Sequence, residues 1–225
     1  GENWTAELVD EKQNSINGLY FLDENFGLCK TNQNDFFSYD GTAWNAIDLN
    51  IKNQEVSYIK IVNKLTWLLA TKTDSLEISY ILKSTNSGEI WDTVFYLFQG
   101  EFNKIIMVNE NLGFAIGNGD EKVFLYKTTD SGQTWHSKIT QDLGTQYNST
   151  LVLTDIVAIS ENNLIAIGRG NNSKEGLIIS SDNGGETWTQ SLPLQALNNC
   201  TLLENHIFFV GDELFVSKWQ INTLA

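Results

Sequence analysis

The chain has 225 residues, 28 Asp and Glu against 14 Lys and Arg, a net charge of −14 and a hydrophobic content of 41%. That size and apolar content support a sizeable core and exclude a disordered chain. The negative excess argues against nucleic acid and anionic membrane surfaces as partners.

In chain order the sequence reads as short strands separated by Asn, Asp, Gly and Ser clusters, with no long amphipathic helical stretch. NWTAELV (3–9) begins at Trp4 and reads as one strand. A first group covers about 15–50 and contains SYDGTAW (38–44). A second, 56–98, contains VSYIKIV (56–62), ISYILKS (78–84) and STNSGEIW (84–91). A third, 102–141, contains GFAIGNG (113–119), KVFLYKT (122–128) and TTDSGQTW (128–135). A fourth, 151–194, repeats that order with LIAIGRG (164–170), GLIISS (176–181) and SSDNGGETW (180–188). The last, 198–219, supplies three strands, CTLLE, HIFFVG and ELFVSK.

Trp4, Trp44, Trp91, Trp135 and Trp188 follow one another at 40, 47, 44 and 53 residues, so the chain holds about five repeats. Several short strands per repeat of this length predict the blades of a β-propeller. The expectation is a single all-β domain over 1–225: a five-bladed propeller of four-stranded blades, with residues 3–9 closing the last blade. The alternative is an arc cut from a six- or seven-bladed ring.

The repeated phrases resemble the Asp-box, or bacterial neuraminidase repeat, S-x-D-x-G-x-T-W. It occurs in sialidases, sortilin-type receptors, family-74 xyloglucanases and the photosystem II assembly-factor family. The coupling of GFAIG to TTDSGQTW looks most like the last of these. The resemblance implies a propeller and structural turns between the third and fourth strands of each blade. The residues it assigns to those turns are Ser38, Asp40 and Trp44; Ser84, Asn86, Gly88 and Trp91; Thr128, Asp130, Gly132 and Trp135; and Ser180, Asp182, Gly184 and Trp188. Asp or Asn would accept backbone N–H bonds, glycine would supply positive φ, and Trp would plug the gap to the next sheet.

The resemblance does not carry an activity. A sialidase needs three arginines and this chain has one, Arg169. The arginine-bearing surface of the assembly factors is absent for the same reason. There is no G-x-S-x-G and no phosphate loop, and the glycines of GNGDE (117–121) are expected at strand ends. Cys29, Cys200, His136 and His206 are not spaced as metal ligands, and no apolar run reaches membrane-spanning length.

Acidic residues fall in the expected second-to-third-strand loops: Asp35, Asp74, Glu77, Asp120, Glu121, Glu175, Asp212 and Glu213. They would form an acidic mouth suited to a basic partner segment or to Ca²⁺ as a cofactor. The expected function is a non-enzymatic binding or scaffold propeller that recognises a protein or glycan. The alternative is a glycoside hydrolase with paired mouth carboxylates. Acidic balance, 25 asparagines and scarce cysteine suit a monomeric secreted, periplasmic or cell-surface bacterial protein, its export signal removed. Sequons stand at Asn3, Asn148, Asn171 and Asn199.

Overall fold

Alternating apolar and polar residues, broken every six to eight positions by Asn-, Asp- or Gly-containing turns, leave the chain little choice but antiparallel meanders. A computed structural model of the chain describes residues 9, 14–73, 77–119, 122–138, 151–170, 176–191, 195–212 and 216–220. The first sheet holds β1 (Ile16–Asp23), β2 (Phe26–Thr31), β3 (Phe36–Tyr39) and β4 (Trp44–Ile47). The second holds β5 (Glu55–Ile61), β6 (Trp67–Thr73), β7 (Ile78–Ser84) and β8 (Asp92–Phe98). The third holds β9 (Gly100–Met107), β10 (Gly113–Gly119), β11 (Lys122–Thr128) and β12 (His136–Ser137). The fourth holds β13 (Leu151–Ala158), β14 (Leu164–Gly170), β15 (Gly176–Ser181) and β16 (Thr189–Ser191). The fifth contributes β17 (Leu197–Leu203), β18 (His206–Gly211) and β19 (Val216–Gln220).

Together they form an all-β, five-bladed propeller with no helix among the described residues. The closing strand expected from residues 3–9 lies, apart from Val9, outside the described residues. Val9 lines a cavity of about 570 Å³ with Phe37, Trp44 and Ala46 of the first sheet.

Core sits between sheets. Leu28, Ile59 and Trp67 fill the first junction, and Leu68, Phe102 and Ile105 fill the second. Phe114, Leu153 and Ile156 fill the third, and Ile167, Leu197 and Phe209 fill the fourth. Among the described residues no such cluster joins the fifth sheet to the first. Instead Leu19 (59% exposed) and Phe21 (49%) stand out on one side, with Val210 (46%) and Val216 (66%) on the other. Cys29 and Cys200 are both buried free thiols, so no disulfide crosses that junction.

Every inner strand carries one extra residue at the same level. Register shifts fall around Asn17 in β1, Ser57 in β5, Asn103 in β9, Thr154 in β13 and Asn198 in β17. Three of these residues reach the next sheet. Ser57 Oγ donates to Phe102 O at 2.9 Å, Asn103 Nδ2 to Leu153 O at 2.8 Å, and Thr154 Oγ1 to Leu197 O at 2.8 Å. Asn198 instead donates to Asp212 of its own sheet at 2.7 Å.

The bulge explains two glycines. A Cβ on Gly117 would lie 2.3 Å from Glu101 O, and one on Gly168 would lie 2.0 Å from Val152 O. Gly117 therefore sits inside β10 because backbone closes on it there, and not at the strand end expected from sequence.

Thr154→Val keeps shape but leaves Leu197 O without its donor. We expect a loss of about 1–3 kcal/mol in urea unfolding; an unchanged midpoint would remove the inter-sheet bond from the list of stabilising contacts.

Candidate functional site

The repeated Trp phrases form turns at the end of the third strand in the second, third and fourth sheets. In the third sheet Thr128 Oγ1 donates to Asp130 Oδ1 at 2.8 Å and accepts Gly132 N–H at 2.9 Å. Asp130 also accepts Thr134 N–H at 2.8 Å and Thr134 Oγ1 at 2.6 Å. Partial desolvation opposes ionisation of this carboxyl, but the bonds from Thr134, Thr128 and the Gln133 N–H outweigh it and hold its pKa at about 2. Gly132 has φ +79°, and Trp135 Nε1 closes the turn on Gly132 O at 3.1 Å. The second-sheet turn repeats this with Ser84, Asn86 and Gly88, although Trp91 Nε1 donates to Leu49 O in the connection between β4 and β5.

The fourth-sheet turn corrects the sequence assignment by one residue. Ser181 Oγ donates to Asn183 Oδ1 at 2.9 Å and accepts Gly185 N–H at 2.9 Å, while Asn183 accepts Thr187 N–H at 3.0 Å. Asp182 is exposed and makes none of these bonds, and Ser180 pairs with Thr189 at 2.9 Å. Trp188 is fixed by packing on the third-junction core and by its bond to Gly185 O, so the frame counts back from Trp and not from the acid. Gly184 serves differently: its N–H donates to Asn162 O at 2.9 Å, docking the turn on the loop after β13.

The shortened first turn is a tight hairpin. Asp40 accepts Thr42 Oγ1 and the N–H groups of Thr42 and Ala43, which hold its pKa at about 2, and Gly41 has φ +95°. Ser38 is a ladder partner of Asn45, and Trp44 packs edge-on against Phe21 at 5.9 Å.

Of the eight loop acids, Asp74, Asp120, Glu121, Glu175 and Glu213 lie outside the described residues. The other three each have surroundings of their own. Asp35 lines the cavity beside Phe37 and Trp44 on the first sheet and accepts Asn14 Nδ2 at 3.2 Å. Glu77, at φ +50°, lines a separate groove of about 340 Å³ with Lys72 and Glu101. Asp212 accepts Asn198 and faces the Arg169 guanidinium at 3.8 Å. Both partners of that pair are well exposed, so it adds little to stability. No group of three or more His, Cys, Asp or Glu side chains able to hold a metal occurs among the described residues.

A cavity of about 620 Å³ lies where the inner strands β5, β9, β13 and β17 meet, at the end where β13 turns into β14. Tyr58, Lys60, Lys104, Ile156 and Cys200 are among its lining residues. Behind it Asp155, 1% exposed, is fully engaged. It pairs with Lys104, and it accepts the N–H groups of Ile156 at 2.7 Å and Cys200 at 2.9 Å. Burial, reinforced by the charge of Lys104, pushes the Lys60 ammonium below its ordinary pKa. Sequence reasoning missed both lysines. Each sits at an inner-strand position that reads, by alternation, as a solvent-facing charge.

No family model and no curated protein sequence matches the chain. Solved structures do. YCF48 from Cyanidioschyzon merolae superposes over 98% of this chain and 74% of its own, with TM-score 0.66 and 12% identity. The GH74 enzyme of Niastella koreensis matches over 92% of this chain and 36% of its own, with TM-score 0.65 and 17% identity. A chain of the nidogen/laminin complex matches over 92% of this chain and 76% of its own, with TM-score 0.65 and 11% identity. What they share with this chain is the fold.

The shifted frame makes a direct prediction. Asn183→Ala should cost about 1 kcal/mol or more through the Thr187 N–H and Ser181 hydroxyl it strands, whereas Asp182→Ala should stay within about 0.5 kcal/mol of the parent. Thermal melts of the two variants check the order; the reverse order would restore the acid as the turn's acceptor.

Proposed function

We propose that the chain is a non-enzymatic binding or scaffold propeller, exported and monomeric, that recognises a protein or glycan through an end of its ring. The observation that carries this reading is the chemistry of the axial cavity. Its one deeply buried neighbouring carboxylate, Asp155, is held by an ammonium and two backbone N–H groups, and Lys60 and Lys104 line the wall. Glycoside hydrolysis needs two carboxyl groups facing one another about 5–9.5 Å apart, one of them free to give or take a proton. Among the described residues, Asp155 is not free, and Asp35, Glu77 and Asp212 each have surroundings of their own.

The fold neighbours are compatible with binding, since one of them is a chain of the nidogen/laminin complex. They are equally compatible with the alternative, since two are described as GH74 enzymes. The site chemistry favours the first.

Arrays of glycans and peptides probed at low and at high salt, together with reducing-sugar assays on β-glucans, separate the two. We expect saturable binding to at least one array member and no sugar release. Sugar release that disappears in a carboxylate variant would establish the hydrolase instead, and arrays without a hit would leave only a structural role.

A further inference from the structure

We propose that the axial cavity binds a carboxylate, held by Lys60 and the free donors of Lys104. This rests on the binding reading above and names the site and ligand chemistry for it.

The first ground is shape. The cavity is about 620 Å³, within the range of small-ligand sites, and inner strands from four of the five sheets contribute to its wall. Strands packed on both faces hold side chains more rigidly than loops do, so the donors are preorganised.

The second ground is an uncompensated charge. In a chain of net charge −14, Lys60 lines the cavity with no hydrogen-bond or ion-pair partner among the described residues. Other lysines that are buried or half-buried are engaged: Lys30 donates to Val56 O, Lys72 meets Glu101 at 3.2 Å, and Lys138 meets Glu186 at 2.7 Å. A partly buried ammonium next to a second one is costly unless an anion offsets it. Asp155 cannot serve, because its oxygens are taken up by Lys104, Ile156 N–H and Cys200 N–H.

The third ground is the charge count, which selects the ligand. Lys104 is neutralised by Asp155, so Lys60 supplies the one unpaired positive charge on the inner wall, while Glu161 keeps its negative charge at the exposed rim. That matches one carboxylate better than a phosphate dianion. An ammonium has three donors, so Lys104 keeps donors for a ligand oxygen while bonded to Asp155. Tyr58 also lines the cavity; burial, with the nearby Tyr20 and Asp155 charges, raises its pKa, so the phenol stays protonated. Its ring rests edge-on against Tyr20 at 5.3 Å, which fixes its position. Glu161, at the rim, accepts Asn109 Nδ2 at 2.6 Å and is the one acid lining the cavity.

A carboxylate can come from a free small acid or from an acidic stretch of polypeptide. Calorimetric titration of the full chain with sodium succinate, with a hexaglutamate peptide and with inorganic phosphate tells these apart. We expect saturable binding of succinate or of the peptide, at least tenfold weaker in Lys60→Met and kept in Lys60→Arg. Lys52→Met, at an exposed lysine, should bind as the parent does. Because removal of an unpaired charge relieves strain, Lys60→Met should also melt at or above the parent temperature, which shows that it folds. Absence of saturable heat with succinate and peptide, equal losses in Lys52→Met and Lys60→Met, or a preference for phosphate would each overturn the site. A partner found on the arrays whose affinity Lys60→Met leaves unchanged would overturn it too, while the broader binding reading stood.

Discussion

The extra residue in each inner strand, with the hydrogen bond that Ser57, Asn103 and Thr154 send into the next sheet, governs how the sheets of this propeller meet. Apolar packing between sheets is strong but has no direction, and sheets packed by side chains alone could slide along one another. A bulge forces one polar side chain out of the ladder at a fixed level and bends the strand. Its donor then meets the carbonyl that the next strand presents at its own bulge, so Phe102, Leu153 and Leu197 are acceptors at matching heights. Gly117 and Gly168 follow from the same closeness of backbone. The sequence phrases around them are thus marks of sheet geometry.

Level inner strands have a consequence at the axis. They bring Tyr58, Lys60, Lys104 and Ile156 onto one cavity wall, and they place Asp155 where two backbone N–H groups and Lys104 converge on it. The outer parts of the blades are tied separately. Turns ending in Trp91, Trp135 and Trp188 satisfy their own backbone donors and drive an indole into the preceding junction. Structure at the rim and chemistry at the axis are therefore carried by different residues. That is how one fold can be shared with chains as different in size as YCF48 and a GH74 enzyme at 12% and 17% identity.

The fold was legible because it is written five times. Trp spacing and repeated phrases reveal the blades. The frame of the fourth turn was not legible, since SSDNGG offers two hydroxyls, two side-chain acceptors and two glycines in succession. Only the fixed Trp188 decides between them. The bulge residues escaped because Ser57, Asn103 and Thr154 share a hydrogen-bonding role but no letter. The cavity lysines escaped for a different reason. Alternation in SYIKIV and FNKII marks Lys60 and Lys104 as outward, and an inner strand has no outward side, only a neighbouring sheet and the axis. Of the acids expected at the mouth, five lie outside the described residues, and Asp35, Glu77 and Asp212 each have surroundings of their own.

Among the described residues, the junction between the fifth and first sheets has neither a bulge bond nor an apolar cluster. Asn198 turns back to Asp212, and Leu19, Phe21, Val210 and Val216 stay exposed between the fifth and first sheets. Native-state hydrogen exchange, read amide by amide, tests whether bulge bonds and their clusters set the order of stability. The slowest amides should lie in β9, β10, β13 and β14, exchanging only with global unfolding, with β1 and β18 opening at distinctly lower free energy. Equal protection around the ring, or greatest protection in β1 and β18, would contradict the role assigned to the inner-strand bulges.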